Sequence, residues 1–141
     1  MASYNETLID DLRANGGHAT SGNFVGRQVL ILTTTGAKTG ERRESPLAYT
    51  RDGDRLVVVA SKGGAPSHPA WYHNIVAHPG VTVEVDGERF DATATVADGS
   101  ERRRLYDQHA ALHPSFTEYE TRTERVIPVI VLQRKAASAA A

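Results

Sequence analysis

Val81-Thr82-Val83-Glu84-Val85-Asp86-Gly87-Glu88-Arg89-Phe90-Asp91-Ala92-Thr93-Ala94-Thr95-Val96 is the stretch that decides the fold. Val81, Val83 and Val85 alternate with Thr82 and Glu84, and Phe90, Ala92, Ala94 and Val96 alternate with polar residues beyond Asp86-Gly87. A period of two belongs to a strand with one buried face, and Asp-Gly between two such runs is a strong hairpin signal. The same signal stands upstream, where residues 43–51 and 55–61 flank Asp52-Gly53-Asp54. Two hairpins therefore predict an antiparallel sheet.

Working outward, residues 28–35 carry the apolar run Val29-Leu30-Ile31-Leu32, which reads as a strand buried on both faces. Ser3-Tyr4-Asn5-Glu6 is a capping-box pattern, with Leu8, Ile9 and Leu12 on one helical face before Gly16-Gly17. Between the hairpins, Pro69 suits a first helical position, Trp71 and Ile75 lie one turn apart, and Pro79 closes the segment. Asp98-Gly99-Ser100-Glu101 caps a further helix in which Leu105 and Leu112 recur seven residues apart, and Pro114 ends it. Residues 126–132 close as a strand, with Pro128 near its start or on an edge. Six mainly antiparallel strands with a few short helices predict a mainly β (α+β) chain, a small closed or split barrel, because closure removes vulnerable edges.

The chain has 141 residues, 40% hydrophobic and 23% charged, with 16 Lys and Arg against 17 Asp and Glu and no cysteine. This size fits one domain, expected over 1–135, with 136–141 a small-residue tail expected to fray. Absence of cysteine removes disulfides, thiolate metal sites and thiol nucleophiles. A formal charge of -1 offers no global field for nucleic acid or an anionic membrane, so attraction for anions must come from local clustering. The N-terminus lacks the apolar core of a signal peptide and no run approaches the roughly 20 residues of a membrane span, so a cytoplasmic protein is expected. Asn5-Glu6-Thr7 then reads as a chance sequon.

Thr33-Thr34-Thr35-Gly36-Ala37-Lys38-Thr39-Gly40-Glu41-Arg42-Arg43 places three cations within six residues on a Gly-bounded turn. It reads either as a phosphate or carboxylate cradle or as a solvated charged turn, and it is not a Walker loop because Gly-Lys-Thr is missing. Ser61-Lys62-Gly63-Gly64 sets a hydroxyl and a cation at a strand end before two permissive glycines, a ligand loop or an ordinary one. Trp71 and Tyr72 offer a planar wall for a flat ring, although Trp71 in isolation reads as core. His68, His73 and His78 are poorly spaced for a metal, and His109 and His113 lack the Glu of a zincin helix and a third ligand, so no metal is expected. Phe116 and Tyr119 either wall a pocket or anchor the last helix. With no Gly-x-Ser-x-Gly and no singled-out acid pair, no hydrolase triad can be assembled. The residues alone lead to a small barrel that binds an anionic ligand with a flat ring.

Taken in order, Gly16-Gly17, Leu32 to Gly40 with its Thr-Gly-Ala-Lys-Thr-Gly core, Ser45-Pro46-Leu47, Ala60-Ser61-Lys62-Gly63-Gly64-Ala65, His68-Pro69-Ala70-Trp71-Tyr72-His73-Asn74 and Arg125-Val126-Ile127-Pro128-Val129 resemble the deazaflavin-dependent nitroreductase and quinone reductase family of actinobacteria. The resemblance implies a split β-barrel that uses coenzyme F-420 and passes a hydride to a quinone or nitroaromatic. It implies that Lys38, Arg43 and Lys62, with backbone near Ser61 and Gly63, hold the cofactor's phosphate and oligoglutamate tail. Trp71 and Asn74 would line the deazaflavin, and Pro46 would shape the strand beside it. Ser61 and Tyr119 are the implied catalytic groups, and His113, Phe116 and Tyr119 the implied substrate pocket.

The chain departs from that family where tyrosines commonly stand at the positions of His113 and Phe116. Phe116 has no proton to give, so quinones are expected over nitro compounds, with the proton drawn from water or His113. Ala37 replaces a frequent basic residue, which weakens tail binding. A carrier that binds F-420 without turnover and an FMN-dependent oxidase on a similar barrel remain as alternatives. A homodimer stays open, and a lipid quinone would bring the protein to a membrane surface.

Overall fold

Asp86 and Gly87 both take left-handed backbone, with φ of 51° and 81°. That pairing matches the twist of the flanking strands and closes β5 (Gly80–Val85) onto β6 (Glu88–Ala97) in the register Val85 opposite Glu88. A computed structural model describes residues 4–22, 24–65 and 67–135. Around the hairpin stand β1 (Val29–Thr35), β2 (Arg42–Ala48), β3 (Thr50–Asp52), β4 (Arg55–Val59) and β7 (Val129–Arg134). They form one sheet in the order β2-β1-β5-β6-β7-β4-β3, with every neighbouring pair antiparallel.

The sheet thus has seven strands where six were expected, because residues 43–51 do not run as one strand. Arg42 to Ala48 pair with β1, whereas Thr50 to Asp52 pair with β4 across the Asp52-Gly53-Asp54 turn. Tyr49 is the corner between them. Its N–H donates to Gln28 O at 3.1 Å, its carbonyl accepts from Gln28 Nε2 at 3.3 Å and from His113 Nε2 at 3.0 Å, and its ring is buried. Since β2 and β3 are opposite edges of the sheet joined by this one residue, the sheet must curl until its edges approach. The result is a half-barrel of seven strands with four helices.

Leu30, Leu32, Val58, Val83, Ala92 and Ile130 fill its interior, all fully buried. The opposite face of β1 is covered by α1 (Tyr4–Ala14), whose Leu8, Ile9 and Leu12 pack on Val29 and Ile31. That is why the apolar run of β1 is buried on both faces. Arg13 locks the helix down with paired bonds to Glu84, at 2.9 and 2.7 Å, and with a bond to Glu44. Ser3, the first residue of the expected capping box, and the tail at 136–141 lie outside the described residues.

The remaining helices depart from expectation in detail. In α2 (Ala70–Ala77), Pro69 is the extended residue before the helix, at φ -68° and ψ 155°, rather than its first turn. In α3 (Gly99–Leu112), Leu105, Tyr106 and His109 are buried while Leu112 is exposed. The buried stripe drifts with the 3.6-residue period toward His109 and His113, so a seven-residue repeat leaves Leu112 behind it. Strand β7 begins at Val129 rather than 126: Pro128 has no N–H for the ladder, though its carbonyl accepts Ala60 N–H at 2.9 Å, and Val126 faces solvent. Val96 is likewise exposed, against the inward face expected for it.

Candidate functional site

The β1–β2 turn is folded on itself and pinned from below. Gly36 N–H donates to Glu41 O at 2.7 Å and Gly40 N–H to Gly36 O at 2.9 Å. Asn74 on α2 then accepts from Ala37 N–H at 2.9 Å and donates to Thr34 Oγ1 at 3.1 Å, in a nearly buried position. Its amide is therefore a brace that fixes the turn against α2. A chamber of about 510 Å³ opens between turn and helix, lined by Lys38, Arg43, His73, Asn74 and Trp71 among others. Arg43 reaches Glu41 at 3.1 Å, but both side chains are largely exposed, so that pair is weak and the guanidinium can exchange it for a better anion. Glu44 also borders the chamber and is already bonded to Arg13.

Trp71 forms a wall of this chamber and of a second one of about 540 Å³. The second is lined by Pro46 and Leu47 of β2, Ser61 and Lys62 after β4, His113, and Phe116 and Tyr119 of α4 (Ser115–Thr121). Phe116 and Tyr119 meet edge to face with ring centres 5.0 Å apart. No Asp or Glu lines this chamber among the described residues. The predicted site residues thus divide at Trp71: Lys38, Arg43 and Asn74 on one side, Pro46, Ser61, Lys62, His113, Phe116 and Tyr119 on the other. Gly63 lies within the 3-10 turn Lys62–Gly64 that borders the second chamber. Trp71 belongs both to the core and to the site, being almost fully buried against the barrel interior while lining both chambers.

His113 contributes less chemistry than its sequence position promises. Its Nε2 must carry the hydrogen, since it faces the Tyr49 carbonyl, and its Nδ1 is buried without a partner among the described residues. Burial, more than the repulsion of Arg27, lowers its pKa. The ring is therefore neutral near pH 7, with its one N–H already given away. His109, one turn earlier and fully buried, is pushed by burial down to about 3 and packs edge-on against Phe116 at 4.4 Å between ring centres.

Several supports of the site were not identified from sequence. Arg125 donates to Ala65 O at 2.8 Å, Ser61 O at 2.6 Å and Ala60 O at 3.2 Å, and its Nη1 lies 2.9 Å from His68 Nδ1. It staples the Ser61 loop through three carbonyls and the His68 ring, and burial without a carboxylate lowers its pKa. Gly64, at φ 82°, is held so close to α4 that a Cβ there would stand 2.8 Å from Arg122 Cβ and 2.9 Å from Tyr119 O. Phe24 and Arg27, from the segment before β1, complete the second chamber. Arg125 was visible as part of a motif, but no local pattern tells that it reaches back some 60 residues to Ala65.

A cationic chamber and a flat aromatic one on two sides of a tryptophan suit a molecule with an anionic tail and a planar ring, and relatives are named for such a molecule. Residues 6–134 match the family described as F-420H2-dependent quinone reductase. An F-420H2-dependent quinone reductase of Mycobacterium tuberculosis is 43% identical over 111 residues, covering 75% of this chain and 73% of its own. A solved F-420H2-dependent reductase superposes with a TM-score of 0.71 at 39% identity, over 76% of this chain and 95% of that one. A solved domain-swapped dimer superposes with the same score at 38% identity, over 79% of this chain and 84% of that one. In residues and in fold, the chain belongs to the F-420H2-dependent quinone reductase family.

Proposed function

We propose that this protein binds coenzyme F-420 across Trp71 and catalyses the reduction of quinone-like electrophiles by its reduced form. The observation that carries the reading is the shared tryptophan wall, with Lys38 and Arg43 on one side and an aromatic chamber free of acidic side chains on the other. Lys38 and Arg43 hold the anionic phosphate and tail, Lys62, Ser61 and the backbone at Gly63 meet the polar edge of the cofactor, and Trp71 and Pro46 bound its ring. Charge-assisted hydrogen bonds of this kind contribute about 1.5–3 kcal/mol each. When bound, reduced F-420 supplies a hydride.

The chain's own work is alignment, exclusion of water and handling of one proton. Phe116 and Tyr119 lie where they can flank a planar acceptor. Asn74 acts through the turn it braces rather than by touching the ring, since both ends of its amide are engaged. The hydroxyl-bearing side chains of Ser61 and Tyr119 line the aromatic chamber, where they can meet a ligand oxygen. His113, with its N–H held by Tyr49, is unsuited to be the proton source; water or Tyr119 serves instead. The chain has no helix, among the described residues, long and apolar enough to cross a membrane, which agrees with a reductase that meets its acceptor in water or at a lipid surface. A homodimer is part of the proposal, supported by the domain-swapped dimer formed by a similar chain.

Mixing protein, reduced F-420 and menadione and following the return of deazaflavin absorbance tests the reading. Faster oxidation than in buffer is expected. Equal rates would leave a carrier, and tighter binding of FMN than of F-420 in parallel titrations would replace the cofactor.

A further inference from the structure

Thirteen arginines stand in the chain, and ten of them lie within salt-bridge distance of a carboxylate. Arg42 donates to Thr82 Oγ1, and Arg125 to three carbonyls. Arg27 differs: among the described residues its guanidinium has no side-chain or backbone partner, yet it lines the aromatic chamber. Its backbone is tied into a turn, with Arg27 N–H donating to Phe24 O at 3.0 Å, so the side chain starts from a defined point at the chamber mouth. Its charge is felt at His113 on the chamber wall.

The chamber's other cation, Lys62, is turned toward Ser67 Oγ at 3.3 Å. With no carboxylate lining the chamber, an electrophile entering it meets an unneutralised guanidinium beside apolar ring faces. A neutral quinone uses the rings and leaves that charge to solvent. An electrophile with an anionic substituent uses both, and because Arg27 is exposed the pairing is screened by salt.

We propose that Arg27 is a specificity-determining residue that selects electrophiles bearing an anionic group, such as a sulfonated or carboxylated quinone, by pairing with that group while the ring lies against Phe116 and Tyr119. The proposal rests on the quinone reductase reading and adds the class of acceptor. Arg27 forms no bond in the reaction and only biases which acceptor is held.

Steady-state reduction of 1,4-naphthoquinone-2-sulfonate and of menadione compares two acceptors of one ring type. For Arg27→Ala, kcat/KM for the sulfonate should fall about tenfold at low salt and menadione by less than twofold, with the dissociation constant of F-420 unchanged. Arg27→Lys should keep most of the preference. An equal fall for both quinones, no fall for either, or a matching loss of cofactor affinity overturns the proposal. If the wild-type protein reduces neither quinone, the reductase reading fails by itself. Quenching of Trp71, the only tryptophan, by each quinone with oxidised F-420 present then still decides. Weaker binding of the sulfonate alone in Arg27→Ala sustains the role of Arg27, and equal affinities in the two proteins end it.

Discussion

The two chambers beside Trp71 are built in opposite ways. The basic one rests largely on one continuous stretch, the turn from Gly36 to Arg43, with α2 as its floor. The aromatic one draws on residues from Phe24 to Tyr119, gathered from five segments that lie far apart in the sequence. A local chamber is held by turn hydrogen bonds and the Asn74 brace. An assembled chamber is held by whatever keeps its segments in place, which here is Gly64 against α4, Arg125 against the Ser61 loop, and the buried histidines under Phe116. Ligand affinity should therefore fail locally in the first, whereas stability and activity should fail together in the second.

Gly64→Ala gives the largest expected break. The new Cβ would collide with Arg122 and with the Tyr119 carbonyl in a backbone conformation that alanine resists, at a cost of about 3 kcal/mol or more. Thermal unfolding should shift down by many degrees and quinone reduction should be lost with it; a normal melting curve would show that α4 is not braced by this glycine.

Acid should also act on the assembled chamber first. His109 is neutral in the fold, with its pKa held at about 3 by burial, while the unfolded chain takes up that proton near 6.5. Below 6.5 the unfolded state binds one more proton, so this contribution is intact above that pH and is lost as pH falls toward 3, at about 1.4 kcal/mol per unit. Near pH 4 the loss is about 3 kcal/mol. Melting temperatures measured from pH 7 to 4 should fall steeply for the wild type and less steeply for His109→Leu, and parallel curves would remove His109 as the cause. The lowered carboxylate pKa values of Asp52 and Glu84 act further down, below their ordinary range.

Lys38→Ala probes the local chamber. The fold should be unaffected, and the dissociation constant for F-420 should rise about tenfold at low salt and less at high salt, because the lost contact is a screened charge pair. A loss independent of salt would instead mean a damaged turn. The smallest effect is expected from Phe116→Tyr, which adds a phenol to the aromatic wall. Reduction of a nitroaromatic should improve about threefold, with menadione nearly unchanged, since water already serves the quinone as a proton source. Equal gains for both acceptors would dismiss the proton-donor argument.

Legibility follows the same division. Hairpin β5–β6 could be read directly because its period, its Asp-Gly turn and its buried face all agree. The Gly36 turn was readable as a basic, Gly-bounded turn because its cations and glycines are adjacent. The break at Tyr49 was not readable: β propensity continues through it, and only the partners of its two flanks differ. Leu112 misled because a seven-residue spacing says nothing of where a helix leaves the sheet, and Trp71 reads as core from its own residues and as cofactor lining only by resemblance, because one side chain packs in the barrel interior and lines both chambers.

By itself the sequence determined the antiparallel sheet, the basic turn and the family, since each depends on residues close in the chain or on an ordered set of motifs. Tertiary structure decided the closure at Tyr49, the partition of the groove by Trp71, the neutral state of His113 and the placement of Arg27 and Arg125. Those depend on which distant groups exclude water from one another and on which carbonyl a nitrogen meets, and spacing along the chain carries no record of either.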